Sequence, residues 1–322
     1  MTNIAEIARA LEPLRRAHVS PRWENSFRYH LDRLLEHDEE GNPKPAARRD
    51  ATGETRGILV IDGPGGGKTW TVKRTLTNHP ALSGGGEEAM RLVRSTVPGG
   101  ATEKSMAQQL LVDSGYVIQS RRRTAWEMWR LFKDRMHAFG TVALWIDEAH
   151  DLLRREEDKV LPSIKSLMAG EGAVVVVLSG TEALAQVVRS DAQVQRRFST
   201  IRIPPVTIDG DRADFEALIA DYCARVGIRP MLSGDLFDRL AVAARHRFGR
   251  VIATVVEAIE QALLQGSQVL GAEHFADAYE LKEGCPPERN VFLVPNWIGI
   301  DPDADPEAVP PIVSRRWRGR HG

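Results

Sequence analysis

Residues 58–69 read Ile-Leu-Val-Ile-Asp-Gly-Pro-Gly-Gly-Gly-Lys-Thr, an apolar run followed by a glycine-rich turn, a lysine and a hydroxyl. Glycines can turn backbone N–H groups inward around phosphate oxygens, because no Cβ obstructs the dihedral angles that this requires. The residues after the turn predict a helix whose positive dipole end faces the same phosphates. The stretch therefore predicts a strand, a phosphate-binding loop and a helix, and hence a bound nucleotide.

Two residues at the end of the predicted loop have specific expected roles. Lys68 would reach the β- and γ-phosphates of ATP, and Thr69 would ligate Mg²⁺. Asp62 departs from the pattern G-x-x-x-x-G-K-[ST], which has glycine at that position. A flexible glycine linker is the alternative, and the strand before the loop and the helix after it argue against that alternative. The other predicted nucleotide-binding residues are Gly63, Pro64, Gly65, Gly66, Gly67 and Trp70.

A second apolar run, residues 142–146, ends in two carboxylates, Asp147 and Glu148. An ATP-hydrolysing site needs one carboxylate to support Mg²⁺ and another to activate the attacking water. Asp147 is predicted to take the metal role and Glu148 the role of the base. An ordinary polar strand end is the alternative, and it is disfavoured because the phosphate-binding loop lies upstream.

Composition excludes several classes of protein. The 322 residues carry a formal net charge of −1, so contact with a polyanion has to come from local patches. The two cysteines, Cys223 and Cys285, are too few and too far apart for a disulfide framework. The chain does not begin with the pattern of a signal peptide, and its longest apolar runs are only strand-length. We therefore expect a soluble cytoplasmic protein with no membrane contact.

The pattern of strands and helices predicts the organisation of the chain. Between residues 57 and 208 the two alternate, which predicts an α/β core with a parallel sheet, helices on both faces and ligands at the carboxyl ends of the strands. Strands are predicted at 58–62, 91–95, 142–147, 173–178 and 200–203. The flanking segments predict an N-terminal helical extension and loop (1–56, with the loop at 37–56), a helical lid (209–283) and a proline-rich basic tail, extended or disordered (284–322).

These features resemble AAA+ ATPases, and within them the TniB/TnsC family of transposition regulators. The resemblance covers roughly residues 10 to 280 and lies in Ala101-Thr-Glu-Lys-Ser-Met, Trp145-Ile-Asp-Glu-Ala-His, Val177-Leu-Ser-Gly-Thr-Glu-Ala-Leu and Asp191-Ala-Gln-Val-Gln-Arg-Arg-Phe. It implies an AAA+ P-loop sheet followed by a helical lid, and ATPase activity with ATP and Mg²⁺. It also implies homo-oligomers, as rings or filaments on duplex DNA, that recruit or activate a transposase and other transposition proteins.

The resemblance also implies roles for single residues. Ser179, at the end of the strand after the two carboxylates, would be a sensor of the γ-phosphate, with Thr181 as the second candidate; helix capping is the alternative for both. Arg197 would be an arginine finger that reaches a neighbouring subunit, with Arg196 in reserve, unless it is only a solvated loop residue. Arg250 would contact the nucleotide from the lid.

One basic patch is the candidate for contact with duplex DNA. Contacts of Lys and Arg with the phosphate backbone are independent of sequence and sensitive to salt. A solvated helix face is an equally open alternative for each of these residues. Trp126 and Trp129, three positions apart, are expected to face the core together. The patch consists of Lys104, Arg121, Arg122 and Arg123, with Arg130, Lys133 and Arg135 beyond them.

Other functions remain open at this point. A helicase loader or a secretion-associated AAA+ ATPase would share every nucleotide-binding residue named above. An ATP-binding switch with little turnover is a third alternative, and Glu148 argues against it because a switch does not need a second carboxylate.

Overall fold

Nine strands and twelve α-helices lie within the residues that the computed structural model describes, which are 4–84, 89–119, 122–153, 160–232 and 234–304. The strands are β1 (Leu35–His37), β2 (Pro43–Ala47), β3 (Gly57–Ile61), β4 (Leu92–Thr96), β5 (Ala143–Asp147), β6 (Val175–Gly180), β7 (Phe198–Arg202), β8 (Arg229–Pro230) and β9 (Val269–Leu270). The helices are α1 (Ile4–Arg16), α2 (Trp23–Asp32), α3 (Lys68–Asn78), α4 (Glu103–Asp113), α5 (Ala125–Ala138), α6 (Val160–Leu167), α7 (Glu182–Ser190), α8 (Ala192–Gln195), α9 (Ile208–Arg225), α10 (Leu236–Ala243), α11 (Phe248–Leu264) and α12 (Ala272–Glu283).

The central sheet has five parallel strands in the order β4-β5-β6-β3-β7. Its inner strands β3, β5 and β6 are buried on both faces, as expected where helices cover a parallel sheet on both sides, whereas the edge strands β4 and β7 are partly exposed. Along β3, Leu59 and Ile61 join the apolar cluster that includes α4 to α7. Ile58 and Val60 point the other way, into the cluster that includes α2 and α3. The predicted α/β core is therefore confirmed.

The segment 37–56, predicted to be a loop, contains part of a β-hairpin. Strands β1 and β2 pair antiparallel, with Leu35 opposite Ala47. Asp38 closes the turn by accepting the backbone N–H groups of Asn42 at 2.8 Å and Glu40 at 3.0 Å. Pro43 and Pro45 had favoured a loop, but proline is tolerated in a strand that is not central to a sheet.

The chain divides into two compact units. One consists of residues 19–204 and contains the sheet; the other consists of the described parts of Met1–His18 and Pro205–Gly322. The second unit is helical, as predicted for 209–283, and Phe215 stacks on Phe237 at its centre with 5.8 Å between the rings. Helix α1 belongs to it and packs on α11, where Arg15 forms an ion pair with Glu260. The domain boundaries at 56, 208 and 283 stay predictions, since packing alone does not define a domain.

Residues 284–304 are folded, which corrects the expectation of an extended tail there. Asn290 and Val291 are fully buried, and the ring of Phe292 stacks on Phe275 at 5.5 Å. Arg239 donates a hydrogen bond of 2.7 Å to the carbonyl of Val291. This segment has no helical or strand pattern of apolar residues, and aromatic contacts such as Phe292–Phe275 hold it in place instead. Residues 305–322, with the basic end of the chain, lie outside the described residues.

Both cysteines lie in the helical unit as free thiols. Cys223 is fully buried and Cys285 nearly so. Burial raises the pKa of the Cys223 thiol to about 12 and also raises that of Cys285. Among the described residues, no helix has the length and apolar character needed to cross a membrane.

Candidate nucleotide-binding site

The glycine-rich loop connects the carboxyl end of β3 to α3, which begins at Lys68. Gly65 and Gly67 have φ angles of 81° and 85°. Side chains with a Cβ are disfavoured in this left-handed region, so both positions require glycine for a geometric reason. The loop therefore has the fold of a phosphate cradle, with the amino end of an 11-residue helix behind it.

Asp62 replaces the usual first glycine without breaking the loop. Its side chain is buried, and Oδ1 accepts the N–H of Gly63 at 2.7 Å. The carboxylate lies directly against Gly66, where a Cβ would be only 1.4 Å from Oδ2 of Asp62. The glycine at 66 thus makes room for the acid at 62, and the two residues form a matched pair.

Two hydroxyls converge on Asp147 at the end of β5. Thr69 donates a hydrogen bond of 2.7 Å to Oδ2, and Ser179, from the end of β6, donates one of 2.5 Å to Oδ1. The indole N–H of Trp145 donates to the Ser179 hydroxyl at 2.8 Å and fixes its direction. Asp147 and Ser179 are almost inaccessible to solvent. The structure therefore brings together three strand ends that the sequence had assigned to one site.

Glu148 lies at the open side of this cluster. Its Oε1 is 3.9 Å from the ammonium group of Lys68, and its Oε2 is 3.4 Å from Nδ1 of His150. The Glu148 side chain is 38% exposed, whereas that of Lys68 is 6% exposed, so the lysine is held and the glutamate can meet water. Sequence reasoning missed His150, although its place three residues after Asp147 is a usable signal.

The donor set fits the predicted cofactors. Mg²⁺ prefers hard oxygen ligands and is usually held by one or two protein groups together with phosphates and waters. The Thr69 hydroxyl and the Asp147 carboxylate provide such oxygens side by side. The loop N–H groups and Lys68 provide the positive surroundings that phosphates need. These residues could therefore hold Mg²⁺ and the phosphates of ATP.

Two further predicted nucleotide contacts remain predictions. Trp70 is 48% exposed in the first turn of α3. Arg250 is half-buried in the first turn of α11, which belongs to the helical unit. Thr181, the second candidate sensor, precedes α7 and makes no side-chain cap to it.

The two candidate arginine fingers differ in exposure. Arg197 is 4% exposed; its guanidinium pairs with Glu54 and donates to the carbonyl of Lys165 at 2.9 Å. A finger has to reach a neighbouring subunit, so this burial argues against the prediction that Arg197 is the finger and Arg196 only the reserve candidate. The Arg196 side chain is 65% exposed and is the better-placed candidate of the two.

The predicted DNA patch is only partly available. Arg121 lies outside the described residues, Arg122 is exposed, and Lys104 is half-buried in the first turn of α4. Arg123 stacks over Tyr116 and donates to its hydroxyl at 3.3 Å. Farther along, Lys133 and Arg135 donate to backbone carbonyls of residues 166, 169 and 114, so they hold the fold together.

The tryptophan prediction is wrong for one residue. Trp129 is buried, as expected, but Trp126 is 66% exposed. The guanidinium of Arg130 lies over the Trp126 ring, with 5.5 Å between Cζ of Arg130 and the centre of the ring. Residues three apart on a helix diverge by about 60°, and here the edge of the buried face falls between them. An exposed indole and a cation therefore lie side by side on α5.

Comparisons with known proteins agree with this geometry. The model of the bacterial TniB protein family matches residues 43–208, a little more than half of the chain. No curated protein matches the sequence. Among solved structures, Aeropyrum pernix ORC1 in complex with DNA has a TM-score of 0.59 at 16% identity, covering 88% of this chain and 73% of its own. Aeropyrum pernix ORC2, in its ADPNP–ADP complexes, has a TM-score of 0.58 at 14% identity, covering 87% and 76%. Drosophila ORC bound to DNA has a TM-score of 0.52 at 16% identity, covering 89% and 70%.

These identities are low enough that the structural likeness concerns the fold alone, and that fold is the AAA+ arrangement predicted from the glycine-rich loop and the Asp-Glu pair. The family match covers the loop, both carboxylates, Ser179 and the two candidate fingers. The chain therefore belongs to the bacterial TniB family and has the fold of the AAA+ ATPases.

Proposed function

We propose that this chain is an ATP-dependent DNA-binding ATPase that assembles on duplex DNA in the cytoplasm and recruits or activates a transposase for target-site selection. The observation that carries the proposal is the convergence of Lys68, Thr69, Asp147, Glu148 and Ser179 at the carboxyl ends of β3, β5 and β6. Ligands of parallel α/β sheets bind at this edge.

Hydrolysis follows from the chemistry of these side chains. Lys68 and the loop N–H groups would bind the β- and γ-phosphates, and Thr69 and Asp147 would hold Mg²⁺, whose positive charge would offset the charge that develops on the phosphates. Glu148, the exposed carboxylate of the cluster, accepts the proton of the attacking water. Ser179 keeps Asp147 in position, because it donates to the oxygen that Thr69 does not use.

Two observations support an action on DNA. The chain belongs to the TniB family, and two of the similar folds, ORC1 and Drosophila ORC, are described as bound to DNA. The exposed Arg122 and the half-buried Lys104 provide positive charge on the sheet-containing unit. The exposed Arg196 would complete a neighbour's site in a ring or filament, so that assembly controls turnover.

Electron microscopy with duplex DNA, with and without a non-hydrolysable ATP analogue, tests the proposal. We expect rings or filaments on DNA only with the analogue, because nucleotide at subunit interfaces would order the oligomer. Lys68→Ala is the control, since it removes the phosphate-binding cation and should form no assembly. Assemblies that form equally well without nucleotide, or with the analogue but never on DNA, would contradict the proposal and favour the loader, secretion or switch alternatives.

A further inference from the structure

A second cationic site lies at the amino ends of the strands, whereas the glycine-rich loop lies at their carboxyl ends. It is a pocket with a volume of about 420 Å³, and we refer to it as the arginine pocket. Gly57 and Phe198, the first residues of β3 and β7, form part of its wall. Gly57 and Ile61 are four positions apart along β3, or about 13 Å, so this pocket is separate from the loop that follows Ile61. Its arginines are Arg33, Arg48, Arg49, Arg56, Arg196 and Arg197.

Most of this positive charge is not neutralised within the protein. Four of the six arginines, Arg33, Arg48, Arg49 and Arg56, are exposed and form no salt bridge with any residue that the structure describes. The pocket has only two carboxylates, Asp50 and Glu54, so four positive charges have no counterpart. A concave wall focuses such a field more strongly than a flat surface does.

Both carboxylates are already engaged. Glu54 pairs with Arg197 and, at 3.3 Å, with Arg196. Asp50 accepts hydrogen bonds from the hydroxyl and backbone N–H of Thr52 and from the N–H of Glu54, so it is part of its own turn. These bonds, first among them the one from the Thr52 hydroxyl, and the charge of Arg56 lower the pKa of Asp50, which is therefore anionic at neutral pH.

One arginine in the wall of the pocket has an unsatisfied donor. The Nε–H of Arg197 is buried and has no hydrogen-bond partner among the described residues, although the other two nitrogens of its guanidinium are bonded. Unsatisfied buried donors are uncommon, because each loses its hydrogen bonds to water. Phe198 packs closely on the backbone of Gly57 in the same wall, where a Cβ on Gly57 would lie 2.5 Å from Cε1 of Phe198. The Arg197 guanidinium is thus held in the wall by two of its nitrogens, while the third has no acceptor among the described residues.

We propose that the arginine pocket binds phosphate groups at a site separate from the glycine-rich loop. Guanidinium forks bind phosphate oxygens in pairs, and a pocket with an excess of four positive charges matches a phosphate compound better than a single carboxylate. The phosphates belong to a free polyphosphate compound or to the backbone of duplex DNA. The chemistry is the same in both cases, and binding does not require ATP turnover.

Calorimetric titration of the full-length Lys68→Ala protein with pyrophosphate tests the site without ATP. Arg48→Gln/Arg56→Gln should weaken binding by about tenfold or more, because two charge-assisted contacts are lost. Arg9→Gln/Arg16→Gln, the same charge change on α1, should leave the affinity unaltered. Arg48→Lys/Arg56→Lys should retain part of it, since lysine keeps the charge without the fork. Thermal melts of all variants check folding.

Two further measurements identify the source of the phosphate. Loss of duplex affinity in Arg48→Gln/Arg56→Gln, together with displacement of duplex by pyrophosphate, would support the DNA backbone. Unchanged duplex affinity with lost pyrophosphate binding would support a free phosphate compound. Two results would overturn the proposal: pyrophosphate binding that ignores the pocket substitutions, or displacement of pyrophosphate by a polyglutamate peptide at lower concentration than by tripolyphosphate.

Discussion

Glu148 combines an unusual backbone with an exposed carboxylate. Its φ of 53° lies in the left-handed region, which costs a non-glycine residue about 1–3 kcal/mol. The backbone N–H donates to Oδ1 of Asp147 at 3.0 Å, and this bond helps to hold the conformation. The two neighbouring acids therefore contact different partners. Asp147 accepts hydrogen bonds from two hydroxyls, whereas Glu148 lies beside Lys68 and His150.

Glu148→Gln should retain ATP binding and lose hydrolysis by about 100-fold or more, because the amide keeps the shape but cannot accept a proton. Lys68→Ala should instead lose nucleotide affinity, since the phosphates lose their cation. Nucleotide binding measured beside phosphate release separates the two effects. Phosphate release at the wild-type rate by Glu148→Gln would refute the assignment of the base.

The roles of single residues could be predicted from the sequence only where a local motif specifies them. The loop glycines, Lys68, Thr69, Asp147 and Glu148 follow from short patterns, and the structure brings them together as expected. The pairing of Arg197 with Glu54 joins residues 143 positions apart and has no local signal. Burial of that arginine therefore could not be predicted from the sequence.

Among the elements, the inner strands β3, β5 and β6 followed from the sequence because buried parallel strands form continuous apolar runs. The β1–β2 hairpin could not be predicted from the sequence, because its strands are largely exposed and contain charged residues and two prolines. The folded segment 284–304 was also missed. Its order rests on Phe292 and on an arginine of α10, contacts that only the tertiary structure provides.

The segment before α5 is the element on which the DNA prediction depends. Arg121→Gln/Arg122→Gln/Arg123→Gln should weaken binding to all duplex sequences alike and reduce the salt slope by about three, one for each lost phosphate contact. Anisotropy across salt concentrations, with ATP present, measures both quantities.

Arg9→Gln/Arg16→Gln/Arg225→Gln is the matched control, because it removes the same charge from exposed positions of the helical unit. Equal losses in the two triple variants would mean that overall charge, and not this segment, determines DNA affinity. Duplex binding that ignores both ATP and the Arg121–Arg123 segment would remove the main physical support for an action on DNA.

At the scale of the whole molecule, the proposed activity requires more than one copy of the chain. The exposed Arg196 lies beside β7, away from the loop of its own subunit, so it would serve a neighbour. Hydrolysis per subunit should then rise with protein concentration, since dilution separates the base from the finger. Weak phosphate contacts repeated along a filament would also bind DNA far better than a single subunit does.

Mixing Arg196→Ala with Lys68→Ala protein should restore part of the ATPase activity that each lacks alone, because each variant supplies what the other has lost. Phosphate release across mixing ratios is the measurement. If Arg197→Ala, and not Arg196→Ala, is inactive alone and regains activity when mixed with Lys68→Ala, the finger is the buried Arg197, despite its pairing with Glu54. Normal turnover of Arg196→Ala and Arg197→Ala alone at every concentration would exclude a finger at either position.

The burial of both native thiols makes this chain convenient for site-specific labelling. Maleimides react with exposed thiolates, and neither Cys223 nor Cys285 offers one in the folded protein. A cysteine introduced at the exposed Glu39, in the turn of the β-hairpin, would then carry a fluorophore with the native cysteines left in place. Energy transfer between donor- and acceptor-labelled copies would report the growth of an assembly on DNA in real time, without arresting the reaction.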